Sequence, residues 1–290
     1  MNVASGSANE ARAALADNAA FDVHELQPDA ITATVESLVA GGAQRVLVAG
    51  GDGTVGTVAA TLVGTKTALA VLPGGTLNHF ARDLGISTEP KEAIAIALGP
   101  ESRGVDVGMV DGRIFLNTSS VGAYVRFVRV RESLEGKFGY RIASAIAAFN
   151  ILLTLRLMGV ELVVDGKKRI YRTPLVFIGV GERAMQIPSL GQRVPGGRRG
   201  LHVMIVRGRS KARWLALALA AVGRGMKSVS HTPEFESFIV DELRIDMRGM
   251  GTVAVDGEIA HLNAPLEYQL RRDALTVVCP PPARPTAPKS

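Results

Sequence analysis

Two glycine-rich loops and a few carboxylates carry most of the chemistry open to this sequence. Val46 to Gly56 reads VLVAGGDGTVG, an apolar run that ends in glycines with one aspartate among them. A buried strand that delivers Gly50-Gly51-Asp52-Gly53-Thr54 to the start of a helix gathers backbone N–H groups and the positive helix end where a phosphate can sit. One β-α unit later, Leu72 to Ile86 reads LPGGTLNHFARDLGI, a second glycine loop behind a second apolar strand. The first loop also contains G-x-G-x-x-G at Gly51, Gly53 and Gly56. A dinucleotide site would need an acidic residue about twenty positions on, at the end of the next strand. That strand, TALAVLP, ends instead in Pro73-Gly74-Gly75-Thr76. No Gly-Lys-Ser/Thr follows the first loop, so it is not a Walker A loop either. An aspartate beside phosphates becomes sensible once Mg²⁺ bridges the two, which gives Asp52 a metal-binding reading.

The remaining carboxylates are less specific. Val-Asp-Gly occurs at 110–112, 164–166 and 255–257, and Asp-Gly between strands is first a hairpin turn. Only the third copy is followed by a second acid, Glu258. Asp106 reads equally well as an ordinary strand-end aspartate or as a further metal residue. His202, His231 and His261 show no ligand spacing, and the single Cys279 cannot form an internal disulfide.

The elements that must hold these residues fall into two textures. Residues 1–103 read as an α/β domain: a helix in SANEARAALAD, a short strand FDVHEL, a helix from about Asp29 to Ala40, then the strand-loop-helix-strand unit that carries both glycine loops. Both loops lie at the carboxyl ends of strands, where open α/β sheets place ligands. Residues 104–279 read as short strands joined by Asp-Gly and Gly turns, an all-β, sandwich-like domain, with helices near 139–157 and 211–227. Residues 280–290, PPPARPTAPKS, read as a disordered tail.

With 290 residues, 47% of them apolar and 21% charged, the chain suits two ordinary domains. Phe138 to Val160 is its most apolar stretch, but Arg141 and Arg156 interrupt it, so a docked helix is expected rather than a span. The start MNVASGSANEARAAL lacks a basic and apolar signal pattern, which predicts a cytoplasmic protein. A net charge of +6 and a pI near 9.7 favour anionic partners. Arg193, Arg198, Arg199, Arg207, Arg209, Lys211 and Arg213 concentrate that charge, as a solvated basic face or an anion-facing one.

GGDGT at 50–54 followed by LPGGTLNHFARDLGI at 72–86 resembles the diacylglycerol kinase catalytic domain family, which is similar to sphingosine and ceramide kinases. NVASG at 2–6, VDVG at 105–108, LEGKFGY at 134–140 and VDGE at 255–258 extend the resemblance across most of the chain. It implies ATP- and Mg²⁺-dependent phosphorylation of a lipid hydroxyl such as that of diacylglycerol. It also implies an N-terminal nucleotide domain like that of NAD kinases and phosphofructokinases, followed by a β-sandwich. Carried over by motif, Gly50, Gly51, Asp52, Gly53, Thr54, Val55, Gly56, Gly75, Thr76 and Asn78 would bind ATP, with Asn2, Ser5 and Gly6 from the first loop and His24 loosely aligned. Asp52 and Asp106 would serve the metal, and Asp256 or Glu258 would be the general base. The implied partner is a lipid at a membrane surface, reached by peripheral contact; nucleic acid is not expected, and a homodimer is an open option.

The chain departs from the family pattern in several places. The family's first strand precedes the Asn-Pro-x-Ser-Gly loop, yet Asn2 is the second residue here and Val3 replaces the proline. His79 stands where members carry an aspartate, Gly56-Thr57 replaces an Asn-Glu pair, and Arg198-Arg199-Gly200 replaces an Asp-Asp-Gly run that binds a structural Mg²⁺. Arginines repel a cation, so that second metal site is expected to be absent. An NAD kinase or sugar-phosphate kinase, and a non-catalytic nucleotide- or lipid-binding homologue, are the competing readings.

Overall fold

The computed structural model describes residues 1–4, 8–16, 18–154, 157–184, 191–206, 235–247 and 250–281. The chain divides into two compact units, Met1–Val107 with Arg271–Ser290, and Gly108–Leu270.

In the first unit helices alternate with strands. Helix α1 is Ala8–Ala16, α2 Ile31–Ala40, strand β1 Arg45–Gly50, α3 Asp52–Leu62, β2 Ala68–Pro73, α4 His79–Asp83, α5 Pro90–Leu98 and β3 Ser102–Val110. Strands β1 and β2 run parallel in register from Arg45↔Ala68 to Gly50↔Pro73, which sets the two glycine loops side by side at the same end. Their near-continuous apolar sequences suit strands buried on both faces, and Leu69, Ala70, Val71 and Leu72 are almost inaccessible. Pro90 opens α5, where its missing N–H costs nothing.

Two local expectations shift. The helix predicted from Asp29 begins as a 3₁₀ turn at Pro28–Ala30 and becomes α-helical at Ile31. The segment FDVHEL forms no strand; only Leu26 pairs, in a parallel bridge with Asn2. Asn2 N–H donates to the Ala49 carbonyl (3.2 Å), Val3 N–H to the Leu26 carbonyl (3.0 Å) and Leu26 N–H to the Met1 carbonyl (2.9 Å). Beyond these bonds a cavity of about 280 Å³, lined by Phe21, Leu26, Val35, Val46 and Val48 among others, lies beside β1.

In the second unit the strands are β4 Arg113–Phe115, β5 Thr118–Gly122, β6 Met158–Val164, β7 Lys167–Thr173, β8 Leu175–Val180, β9 Leu201–Val206, β10 Phe235–Val240, β11 Glu242–Met247, β12 Met250–Val255 and β13 Glu258–Asn263. The last strand, β14, spans Leu266–Val278; its first residues pair antiparallel with β11, and Val277, in the first unit, pairs parallel with Leu69 of β2. One sheet runs β10-β9-β8-β5-β12-β13, with each neighbouring pair antiparallel. Strands β11, β6 and β7 form a second antiparallel ladder. Val121, Ile178, Val203 and Val253 of the first sheet share one buried cluster with Leu162, Tyr171, Ile245 and Tyr268 of the second. A single apolar core between two sheets is what the alternating strand pattern requires.

Helix α6, Ala123–Leu153, starts well before the predicted 139–157, and Gly139 interrupts it with φ 72° and ψ 163°. The helix predicted near 211–227, residues 207–213 of the basic cluster and the tail from residue 282 lie outside the described residues.

Candidate functional site

The two glycine loops meet through their backbones. Gly51 caps α3 with an extended backbone, which leaves the first-turn N–H groups of the helix without intrahelical acceptors. A Cβ on Gly75 would stand 2.8 Å from the Gly51 Cα, and one on Gly51 would stand 3.2 Å from the Gly75 Cα. Neither position has room for a side chain. Gly74 N–H donates to the Gly50 carbonyl (2.8 Å), which extends the β1–β2 pairing into the loops.

Side chains then lock this arrangement. Asn78 sits in the left-handed region, buried, with its Oδ1 accepting from Gly75 N–H (2.8 Å) and its Nδ2 donating to the Gly75 carbonyl (2.7 Å). Asn2 Nδ2 donates to Thr54 Oγ1 (2.8 Å) on the first turn of α3. The Thr54 side chain in turn fills the space that a Cβ on Gly50 would need. Asp52 Oδ1 accepts a long bond from Phe80 N–H (3.4 Å), so the acid in the first loop faces the start of α4.

Asn2, Gly50 to Thr54, Gly75 and Asn78 are thus brought together. Val55 contributes only backbone, because its side chain is core. Gly56 lies inside α3, and a methyl group placed on it would have nothing within 4 Å, so the third glycine of G-x-G-x-x-G meets no close approach. Thr76 and His79 are exposed. His24 lies beside Asp22 (3.3 Å), and Ser5 and Gly6 lie outside the described residues. Asp106 is buried, and its Oδ1 accepts from Asp273 N–H (2.9 Å). That bond ties it to the neighbouring strand. Among the described residues no three His, Cys, Asp or Glu side chains gather into a metal cluster.

The second unit concentrates its chemistry at the third Val-Asp-Gly. Asp256 and Gly257 both have positive φ, 47° and 90°, which is the two-residue hairpin geometry favouring Asp-Gly. What sets Asp256 apart is its carboxylate. Oδ2 accepts from Leu116 N–H (2.7 Å), and Oδ1 accepts from Asn117 N–H (2.8 Å) and Thr118 N–H (2.9 Å). Burial raises its pKa above the usual carboxylate value, against the lowering pull of those three N–H groups and of Arg183. Sequence reasoning missed these partners because they are backbone amides, which no residue type announces. Glu258, two residues on, is exposed at the start of β13.

Nearby in the same unit, Arg183 is buried and donates to the carbonyls of Asn117 (3.0 Å) and Val180 (2.8 Å). Its backbone N–H donates to His202 Nδ1 (2.9 Å), and burial lowers the His202 pKa. Glu182 accepts from Arg198 N–H (2.9 Å) and lies 3.4 Å from its Nε. The backbone bond from Arg198 is the main reason its pKa is lowered. The position compared with an acidic metal run is therefore part of an Arg–Glu pairing.

Two glycine loops packed at a helix start, with Asp52 opening the helix, gather backbone N–H groups of the kind that can receive a phosphate. Residues 2–110 match the model of the diacylglycerol kinase catalytic domain. A Pseudomonas aeruginosa (strain UCBPP-PA14) protein named "Probable lipid kinase YegS-like" is 42% identical over 90 residues, 30% of each chain. The diacylglycerol kinase of Bacillus subtilis (strain 168) is 33% identical over 126 residues, 42% of this chain and 41% of that one. The matched stretch thus spans well under two thirds of these relatives' own length. A solved structure described as a diacylglycerol kinase from Bacillus anthracis str. Sterne shares the fold at a TM-score of 0.68, with 22% identity over 97% of this chain and 95% of that one. An N-terminal mixed α/β domain followed by a β-rich region is common ground.

Proposed function

We propose that the protein is an ATP- and Mg²⁺-dependent lipid kinase that transfers the γ-phosphate to a lipid hydroxyl such as that of diacylglycerol. The observation that carries this reading is the backbone-to-backbone packing of Gly51 on Gly75 at the start of α3. It supports a triphosphate cradle of the NAD kinase and phosphofructokinase type, within the stretch that matches the lipid kinase family.

Phosphoryl transfer needs positioning and charge stabilisation more than covalent help. The amides of Gly51 to Thr54 hold the phosphates, while Asn78, which takes the Gly75 amide, and Asn2 keep the two loops in place. Asp52 fits a metal that arrives with the nucleotide, since Mg²⁺ takes one or two carboxylates and fills its shell with waters and phosphate oxygens; bound there it would neutralise charge on the transferred group. Asp106 commits its carboxylate to a strand amide and is the weaker of the two metal candidates.

We assign the base to Asp256. A carboxylate offers about four lone pairs, and three are taken, which leaves one acceptor position on Oδ2. A raised pKa brings a carboxylate closer to the operating pH of a general base. Glu258 is the second carboxylate of that site.

The test uses labelled ATP, Mg²⁺ and a panel of diacylglycerol, sphingosine, phosphatidylglycerol and NAD, beside Asp52→Ala. Label transferred to a lipid and lost in the variant is the expected result. Transfer to NAD alone, or ATP binding without any transfer, would sink the reading.

A further inference from the structure

The third Val-Asp-Gly turn has a second charged group behind it. Arg183 lies just past the end of β8 and is only 3% exposed. Its side chain runs back along that strand, since a Cβ on Gly179 would stand 2.5 Å from the Arg183 Cγ. Gly179 pairs with Thr118 of β5, which brings the guanidinium to the residues that hold Asp256. Nη2 donates to the carbonyls of Asn117 (3.0 Å) and Val180 (2.8 Å), and Nη1 to that of Gly191 (3.3 Å). The backbone is fixed as well. Arg183 N–H donates to His202 Nδ1 (2.9 Å), which puts the ring proton on Nε2, 3.2 Å from Ser237 Oγ.

A guanidinium taken out of water is disfavoured unless its N–H groups are used, and here they are used on backbone carbonyls. One of those carbonyls leads straight to the site. The Asn117 C=O and the Thr118 N–H belong to one planar peptide group, and that N–H donates to Asp256 Oδ1 (2.9 Å). The same carbonyl accepts a second bond, from Val180 N–H (2.9 Å). Donation to a carbonyl polarises its peptide group and makes the N–H on the other side a stronger donor. Arg183 therefore reaches Asp256 through a single peptide group, and its charge also favours the ionised carboxylate against the burial that opposes it. Leu116 N–H, which binds Asp256 Oδ2 (2.7 Å), belongs to a different peptide group and serves as an internal reference.

We propose that Arg183 is a positioning residue for Asp256, acting through the 117–118 peptide to set the strength and orientation of the amide that holds the carboxylate in place. The inference deepens the kinase reading and rests on Asp256 being its base. The contact itself is measured without turnover.

The test begins with amide NMR spectra of the isotope-labelled full chain for the parent, Arg183→Met and Arg183→Lys, each checked by its melting curve. The Thr118 amide proton should move upfield in Arg183→Met and part of the way in Arg183→Lys, whose single ammonium cannot fork between two carbonyls. The Leu116 amide should move far less. Phosphorylation kinetics then follow, with Asp256→Asn and the double variant Arg183→Met/Asp256→Asn added. We expect kcat to fall by about tenfold or more in Arg183→Met with the KM for ATP unchanged, to recover partly in Arg183→Lys, and to fall no further when the change is added to Asp256→Asn. If Arg183→Met does not fold, the Thr118 shift in Arg183→Lys decides. Equal shifts at Thr118 and Leu116, or no shift at either, would overturn the proposal, as would a full additional loss of kcat in the double variant. A selective Thr118 shift in a protein that phosphorylates no lipid would keep the link from Arg183 to Asp256 and remove the kinase reading instead.

Discussion

Asp-Gly appears in both halves of the proposed machinery and does opposite work in each. In Gly51-Asp52-Gly53 the aspartate opens a helix, and the surrounding glycines let two loops touch backbone to backbone. In Val255-Asp256-Gly257 the aspartate forms a hairpin turn, and its carboxylate gathers three amides from residues 116–118. The first region depends on atoms that are absent, the second on atoms that are present. Substitution should therefore harm them differently: adding a methyl breaks the first, and removing a carboxylate breaks the second.

The largest effect on stability should come from Asp256→Ala, which leaves three amides without acceptors and is expected to cost about 3 kcal/mol or more, read as a large fall in the urea midpoint. Asp256→Asn keeps one acceptor oxygen and separates chemistry from folding. If Asp256 is the base, kcat should fall by about 10²-fold or more with the KM for ATP unchanged. A greater loss in Glu258→Gln would transfer the role.

Asp256→Asn also isolates a pH effect. The folded pKa of Asp256 is raised by burial, so the folded state holds its proton to higher pH than the unfolded chain does. Its contribution to stability is complete below the ordinary aspartate pKa and is lost as pH rises through the folded value. Denaturation midpoints taken across the acid range should show that decline in the parent relative to Asp256→Asn. His202 runs the other way. Burial lowers its pKa, so its contribution is complete above the ordinary histidine value and is lost as pH falls toward the folded value; His202→Gln should flatten that part of the profile.

Smaller effects sharpen the contrast among the three Val-Asp-Gly turns. All three have positive φ at both Asp and Gly, yet Asp111 accepts one amide, Glu267 N–H at 2.9 Å. Asp111→Ala should cost about 1 kcal/mol. Asp165→Ala should stay within about 0.5 kcal/mol, as an exposed turn position. Equal losses at all three turns would mean that hairpin geometry, not the carboxylate, makes Asp256 matter.

Much of the first region was legible in residue order. Apolar strands ending in glycines, and two such loops one β-α unit apart, follow from strand pairing and helix-start geometry, and Gly50 to Thr54 with Gly75 do meet. The locks were less legible. Asn78 reads as a ligand-facing residue but uses both ends of its amide on Gly75. Asn2 reaches Thr54 across 52 positions of chain, a pairing no local pattern encodes. The second region could be read only as far as its turns. Three copies of the same tripeptide look alike until tertiary structure supplies the amides of Leu116, Asn117 and Thr118. The early start of α6 is hidden for a related reason: Arg126, Arg129 and Arg131 dilute its apolar signal, while its buried face rests on Val125 and Val128.

The most direct measurement of the central claim is the calorimetric affinity for ATP with Mg²⁺ of the parent, Gly75→Ala and Gly56→Ala, each checked for folding by its melting curve. A Cβ at position 75 meets the Gly51 backbone, whereas one at position 56 meets nothing. Gly75→Ala should weaken binding by about tenfold or more, while Gly56→Ala should bind as the parent does and gain about 0.5 kcal/mol of helix stability. Binding lost in Gly56→Ala and kept in Gly75→Ala would contradict a triphosphate site built on the paired loops.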